Sequence, residues 1–460
     1  MWQRSELDAR DGPVSHQVAA LVVRHIERGE LSVGSALPSE RDLAHRFGIS
    51  RVTVVRALGL LRDRGVVVTR HGAGSVVAPS DRLLDPVAPA PPRSRDSTHL
   101  DVRHGTTAAP REVELAAIRV AGEHLRVAMA SDGPPAGGSP ELRAALAAQL
   151  TRDGVPTLST HLTLTSGAAA GLDLLLQALD LGPGAAITES PTYPAALGCL
   201  RRHRLDVTGW PSGPNAWDTD QLAHLVRRVR PVVVYLQPDN HNPTGHSLPG
   251  PSRLPLVELL RRHRVTAISD ETLRPLWLSD TAQPAALSRH RAVISLGSLS
   301  KTVWGGLRVG WIRSSQEVTR RLQQHPASAL LAPSAFDELL ATEILDDLAS
   351  IVRRRRRLLR LSLDTLRGSL AGACDEIAWD PPTGGMTAWL ELRHVESAAV
   401  ATAARRLGLL ISPGTVFTPD SLDRRHVRLA FTTTPAQLDK AVELLTQAVR
   451  TAREPAADRL

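Results

Sequence analysis

Five prolines between residues 79 and 92 (Pro79, Pro86, Pro89, Pro91 and Pro92) set the first limit on what this chain can fold into. Proline fixes φ and lacks a backbone N–H, so no helix or sheet interior runs through such a stretch. The chain therefore reads as residues 1–78, a proline-rich linker over 79–98, and a long remainder over 99–460. With 42% hydrophobic and 22% charged residues, the chain has the composition of a globular protein with a sizeable core. No uninterrupted apolar run reaches membrane-spanning length, and the opening MWQRSELDAR lacks the apolar core of a signal peptide, which predicts a cytoplasmic protein with no membrane partner. Cys199 and Cys374 are far apart, and His161, His203 and His263 show no metal-ligand spacing, so neither a disulfide framework nor a metal site is expected.

The first segment carries helical apolar spacing. Val18, Leu21, Val22 and Ile26 fall on one face of a helix that Gly29 ends, and Leu43, Ala44 and Phe47 do the same on a second helix starting near Pro38-Ser39-Glu40. Gly48 breaks the chain. Ser50 is placed to cap a third helix with the inner stripe Val54, Leu58 and Leu61. The runs VVVTR and SVVAP, joined by His71-Gly72-Ala73-Gly74, predict a hairpin. Three small helices suit a dimerisation module equally well, but the outward residues favour another use. Arg51, Thr53 and Arg56 put guanidinium and hydroxyl groups near a helix N-terminus, which suits phosphate contacts and major-groove reading. The net charge of +8 allows a polyanionic partner without establishing one.

Beyond the linker, apolar strands such as PVVVYLQP and AVISLGS alternate with helical segments such as ELRAALAAQL, which predicts an α/β domain with a largely parallel sheet. From about residue 333 the pattern becomes mixed, as for a smaller α+β lobe. Lysine is scarce here: of 55 basic residues only Lys301 and Lys440 are lysines, so chemistry needing a primary amine has two candidates. Lys301 follows the strand AVISLG in GSLSKTVWGGLRVGWI. In TSGAAAGLDLLL, Ser166-Gly167-Ala168 open a helix whose bare N–H groups can cradle a phosphate, and Ser298 and Arg308 can complete that cradle. Asp270 ends a strand, where a carboxylate can pair with a protonated pyridine nitrogen, although a strand-terminal aspartate is commonly just a turn residue. Tyr193 in ESPTYP offers a ring to stack on an aromatic cofactor. Asn242, in an NPTG stretch that alone signals only a turn, offers a donor to its phenolic oxygen.

The stretch ALPSERDLAHRFGISRVTVVRALGLLRDRGVV, followed by RHGAGSVV, resembles the GntR family of bacterial regulators nearly end to end. That resemblance implies a winged helix-turn-helix in which Arg41, Ser50, Arg51, Thr53 and Arg56 contact an operator in double-stranded DNA, while the wing around Gly72 and Gly74 reaches the adjacent minor groove. The remainder resembles fold-type I pyridoxal-phosphate enzymes of the aminotransferase class. It implies pyridoxal 5'-phosphate as cofactor, Lys301 as the Schiff-base residue, Asp270 on the pyridine nitrogen, Ser298 and Arg308 on phosphate, and Arg428 in HVRLAF on a substrate or effector α-carboxylate. The two halves in this order look like the MocR subfamily, which implies a homodimer.

The pattern departs from aminotransferases at two places. Two residues after Asp270, where a tyrosine is common, stands Thr272, and the tyrosine expected before DGPPAGG is missing. Cofactor capture is expected to survive, while tuning for rapid proton transfer is weakened. This favours a regulator that senses the cofactor or an amino acid over a working aminotransferase with a DNA-binding appendage, for which Arg428 speaks. A purely dimerising second domain has no need of Lys301 and Asp270. The run Arg353 to Arg357 is expected to be a solvated helix face or an inter-subunit pairing surface.

Overall fold

The computed structural model describes residues 13–27, 30–31, 35–63, 66–70, 74–77, 99–213, 217–373 and 375–453, and the chain divides into two units, residues 1–91 and 92–460. Gly29, Gly72, Cys374 and the whole stretch 78–98 lie outside the described residues.

In the first unit, α1 (Val14–Glu27), α2 (Glu40–Phe47) and α3 (Arg51–Asp63) precede the antiparallel pair β1 (Val67–Arg70) and β2 (Gly74–Val77). Two serines fix where helices begin. Ser39 Oγ accepts from Asp42 N at the start of α2, and Ser50 Oγ accepts from Thr53 N at the start of α3, each satisfying a donor that a helix start leaves unpaired. Between them Gly48 ends α2 at φ 61°, a left-handed conformation that glycine adopts without a Cβ penalty. Val18, Leu21, Val22, Leu43, Phe47, Val54, Leu58 and Leu61 are buried in one core, with Ile26 and Ala44 packed at its edge.

The second unit opens with β3 (Leu100–Asp101), α4 (Arg111–Arg119), α5 (Leu125–Ala128) and α6 (Pro140–Arg152). Strands and helices then alternate through β4 (Leu162–Thr165), α7 (Ala168–Leu179), β5 (Gly184–Ser190), α8 (Pro194–Arg202), β6 (Leu205–Pro211) and α9 (Thr219–Val229). They continue through β7 (Val233–Leu236), α10 (Gly250–Arg262), β8 (Thr266–Asp270), β9 (Val293–Ser298) and β10 (Gly310–Arg313). The strands form one sheet in the order β4-β10-β9-β8-β7-β5-β6, parallel except for β10, which runs antiparallel to both neighbours. Every residue of β7 and β9 is buried, because helices cover both faces, and that is why β7 reads as a continuous apolar run instead of an alternating one.

After α11 (Gln316–Gln324), α12 (Ala327–Leu330) and α13 (Ala335–Leu345), the 24-residue α14 (Leu348–Ala371) carries the chain to a second sheet. This lobe contains β11 (Ile377–Trp379), β12 (Thr387–Leu392), α15 (Ser397–Arg406), β13 (Leu409–Leu410), β14 (Ser412–Pro413), β15 (His426–Ala430) and α16 (Pro435–Arg453). Its four-stranded sheet, β11-β12-β15-β14, is antiparallel and packs Leu390, Val427 and Leu429 against Leu363, Leu366 and Leu445. The first strand of the unit joins this smaller lobe: β3 pairs in parallel with β13, and Val102 is buried in the same core. No described helix is long and apolar enough to cross a membrane.

Candidate functional site

The carboxyl ends of the parallel strands gather polar side chains that come from widely separated segments of the sequence, as open α/β sheets do at their ligand crevices. Asp270 ends β8, Lys301 follows β9, Tyr193 and Asn242 follow β5 and β7, and Ser166-Gly167 lead from β4 into α7. Their charges reach one another. Burial, joined by the charges of Arg428 and Arg308 and opposed by Asp270, brings the Lys301 ammonium down to about 8. Its Nζ donates to Gly105 O at 2.9 Å.

Asp270 is held by two donors, Tyr235 OH to Oδ2 at 2.8 Å and Thr272 N to Oδ1 at 3.0 Å. Burial pushes the Tyr235 phenol well up, with the charge and hydrogen bond of Asp270 adding to it, so this phenol donates and does not ionise. Behind it Gln237 connects two anchors: its Nε2 lies 3.4 Å from Tyr235 OH, and its Oε1 accepts from Asn242 N at 3.3 Å. Gln237 N in turn donates to Glu189 Oε1 at 2.5 Å. Glu189 is fully buried, and burial pushes its carboxyl up to about 8, against its hydrogen bonds and with the charge of Asp270. At neutral pH Glu189 therefore keeps its proton.

Asn242 Oδ1 accepts from Arg428 Nη1 at 2.8 Å, which turns its amide nitrogen into the group left to donate. Arg428 Nη2 donates to Arg103 O, and the guanidinium lies 4.6 Å from the Phe417 ring centre, a cation–π brace. Burial brings Arg428 down to about 10, so it stays charged.

At the other end of the cleft no side chain caps α7, and Gly167 starts it at φ 109°. A Cβ on Gly310 would stand 2.6 Å from Gly167 C, so two glycines allow β10 to pass directly under the loop. A Cβ on Gly167 would stand 3.7 Å from Arg308 Nη2, which marks a cradle between bare helix N–H groups and a guanidinium. Ser298 Oγ contacts Val309 O and Ser300 Oγ, both at 3.0 Å, so Ser298 shares this corner with Ser300, a hydroxyl that sequence reading passed over. Ser166 N donates to Leu331 O, and Ala168 begins α7.

Arg428 Nε and Thr272 Oγ1 are buried here without a hydrogen-bond partner among the described residues. The donor set, the cradle and these orphaned atoms fit the pyridoxal phosphate that the sequence resemblance implies: an amine for its aldehyde, a carboxylate for its ring nitrogen, a helix start and Arg308 for its phosphate. In the arginine run Arg353 and Arg357 are exposed, as expected for a solvated face, while the three between them are half-buried. Arg354 pairs with Glu112 at 2.5 Å, Arg355 Nη2 donates to Val303 O at 2.8 Å beside Lys301, and Arg356 Nε donates to Pro275 O at 2.6 Å. Their long stems let half-buried guanidinium groups brace neighbouring main chain.

In the first unit Arg41, Ser50, Arg51 and Arg56 are exposed and Thr53 is half-buried, its hydroxyl 2.8 Å from Ser50 Oγ. Arg51 is paired with Glu40 of α2 at 3.1 Å, an ion pair that sequence reading missed. Gly72 is outside the described residues.

A family model described as "Aminotransferase class I and II" matches residues 101–445, and one described as "Bacterial regulatory proteins, gntR family" matches residues 14–77. The chain is 26% identical to the uncharacterized HTH-type transcriptional regulator YdfD of Bacillus subtilis, over 91% of this chain and 92% of that protein. It is 27% identical to the uncharacterized HTH-type transcriptional regulator YdcR of Escherichia coli, over 87% and 91%. Among solved structures, LysN, the alpha-aminoadipate aminotransferase of Thermus thermophilus crystallised with N-(5'-phosphopyridoxyl)-L-leucine, superposes with a TM-score of 0.71 at 26% identity, over 77% of this chain and 93% of that one.

Proposed function

Because the chain belongs to the aminotransferase class I and II family and carries a gntR-family regulatory domain ahead of that region, we propose that it is a cytoplasmic transcription regulator that binds operator DNA through its first unit and holds pyridoxal 5'-phosphate in its second, sensing that cofactor, an amino acid, or both. The observation that carries the reading is the meeting of Lys301, Asp270 and Arg428 at one site, close enough for the charges of Asp270 and Arg428 both to act on Lys301.

The residues divide the work. The open start of α7, Arg308 and the Ser298 corner would hold the phosphate, Asp270 would pair with the ring nitrogen, Asn242 would donate to the phenolic oxygen, and Tyr193 would offer its ring to the pyridine. Bound there, the cofactor supplies an aldehyde that captures amines and a ring that withdraws electrons. Lys301, with its ammonium brought down to about 8, reaches the neutral, nucleophilic amine near physiological pH. Arg428 anchors the carboxylate of an incoming amino acid. Thr272 is too short to tune the proton at the phenolic oxygen as a tyrosine does, so ligand capture outlasts turnover. A ligand changes transcription only by binding two arrangements of the second unit unequally. In the first unit Arg51 and Arg56 take phosphates or base edges at the start of α3, and a homodimer meets two half-sites.

The test has two parts. Borohydride treatment should fix the cofactor to Lys301, and Lys301→Ala should abolish that fixation. Amino acids that shift the cofactor spectrum should then alter operator affinity, while Arg56→Ala lowers the salt slope of operator binding by about one. If amino acids shift the spectrum and release oxo acid catalytically with no change in operator affinity, the chain is an enzyme first, the reading for which Arg428 speaks.

A further inference from the structure

Away from the cofactor cleft, three donors of different softness meet between two helices. Asp173 lies in the second turn of α7, while Cys199 and His203 stand four residues apart at the end of α8. Cys199 Sγ is 3.5 Å and His203 Nε2 is 2.9 Å from the same Asp173 Oδ1, and all three donor atoms lie within 4.8 Å of one another. Cysteine and histidine spacing alone gave no metal motif, because the third partner is 26 residues upstream and only the packing of α7 on α8 brings it in.

Zinc at bond lengths of about 2.0–2.3 Å places neighbouring tetrahedral donors roughly 3.3–3.7 Å apart, so these atoms need to shift only slightly to share one ion. The carboxylate is already oriented from behind, since its Oδ2 accepts from Gln177 Nε2 at 2.9 Å. We propose that Asp173, Cys199 and His203 form a binding site for one Zn2+ ion, or a divalent cation of the same borderline class, with water in the fourth position. Binding forms the Sγ–Zn bond and breaks the Sγ–H bond, the proton leaving to solvent. His203 presents the lone pair of Nε2 with its proton on Nδ1. One thiolate and one carboxylate then balance the two charges of the ion. The Arg202 guanidinium stands alongside, with Nη2 3.8 Å from Asp173 Oδ1, and its half-exposed side chain can swing into solvent. The ion would join two helices that start at the cofactor cleft, α7 at Gly167 and α8 at Tyr193.

The full chain, stripped of metal by a chelator and desalted, is titrated with Zn2+ against a chromophoric competitor. One tight ion per chain is expected for the parent and for Cys374→Ser, with affinity at least about a hundredfold weaker in Cys199→Ser and His203→Ala. Co2+ added to the unmutated chain reads the same site without reliance on a variant, and should give a sulfur-to-cobalt charge-transfer band in the near ultraviolet. Absence of that band, or tight Zn2+ binding unchanged by Cys199→Ser, would overturn the site and leave a hydrogen-bonded triad only.

Discussion

Replacing Glu189 by glutamine should make the second unit more stable, and increasingly so as pH rises. The carboxyl is fully buried, its Oε1 takes the Gln237 N–H, and Thr192 Oγ1 lies 3.4 Å from Oε2. Glutamine copies the protonated acid, with an oxygen for Gln237 and an amide hydrogen for Thr192. The folded-state value of about 8 stands above the ordinary 4.5, so between these two values the native chain holds a proton that the unfolded chain has released. Stability from this group is therefore complete below about pH 4.5 and declines until about pH 8, by at most roughly 5 kcal/mol at about 1.4 kcal/mol per unit. Urea unfolding of both proteins at about pH 5, 6, 7 and 8 isolates the effect, since all other groups titrate alike in the two chains. The gap in favour of Glu189→Gln should widen by about 1 kcal/mol or more per pH unit. A gap that stays constant across that range would show Glu189 to be ionised in the folded chain and would refute the raised value.

Tyr235→Phe should destabilise the second unit by about 1–3 kcal/mol in the same assay, since Asp270 Oδ2 would lose its phenol donor inside the protein; no change would remove Tyr235 as a support of Asp270. The rate at which added pyridoxal phosphate attaches to Lys301 should rise with pH and level off above about 8, following the neutral amine, and a rate still climbing at higher pH would contradict the depressed value. Ser50→Ala should lower the stability of the first unit by about 1 kcal/mol in calorimetry of the full chain, through loss of the cap on Thr53 N.

Residues whose role follows from local chain chemistry are legible in the sequence itself. Ser50 caps because of where it stands, and Lys301 stands out because lysine is nearly absent from this chain. The supports of the cleft are not legible there, for a geometric reason. Tyr235 sits in VVYL, a run buried throughout, and within such a run no periodicity distinguishes a residue facing Asp270 from one filling the core. Its role depends on the register of β7 against β8, with Tyr235 opposite Ile268, two residues before Asp270. Glu189 and Gln237 are 48 residues apart, and a carboxyl kept neutral by burial carries no mark in sequence. The middle of the arginine run misleads because charge repetition reads as solvation, whereas the partners of Arg354, Arg355 and Arg356, the Glu112 carboxylate and the carbonyls of Val303 and Pro275, come from distant segments.

The stretch from Asp101 to Gly105 is the threshold by which the chain enters its second unit, and it is fastened from two sides. Arg428 on β15 of the smaller lobe holds the carbonyl of Arg103, and Lys301, beyond β9 of the large sheet, holds the carbonyl of Gly105. These are the two donors that the proposed ligands require, one for a carboxylate and one for an aldehyde. A ligand that bonds to Lys301 competes with the Gly105 carbonyl for its nitrogen, whereas Arg428 keeps Nε without a partner beside its bond to Arg103 O. On the proposed reading, a ligand that takes Lys301 also takes the donor from the Gly105 carbonyl, at the very start of the second unit.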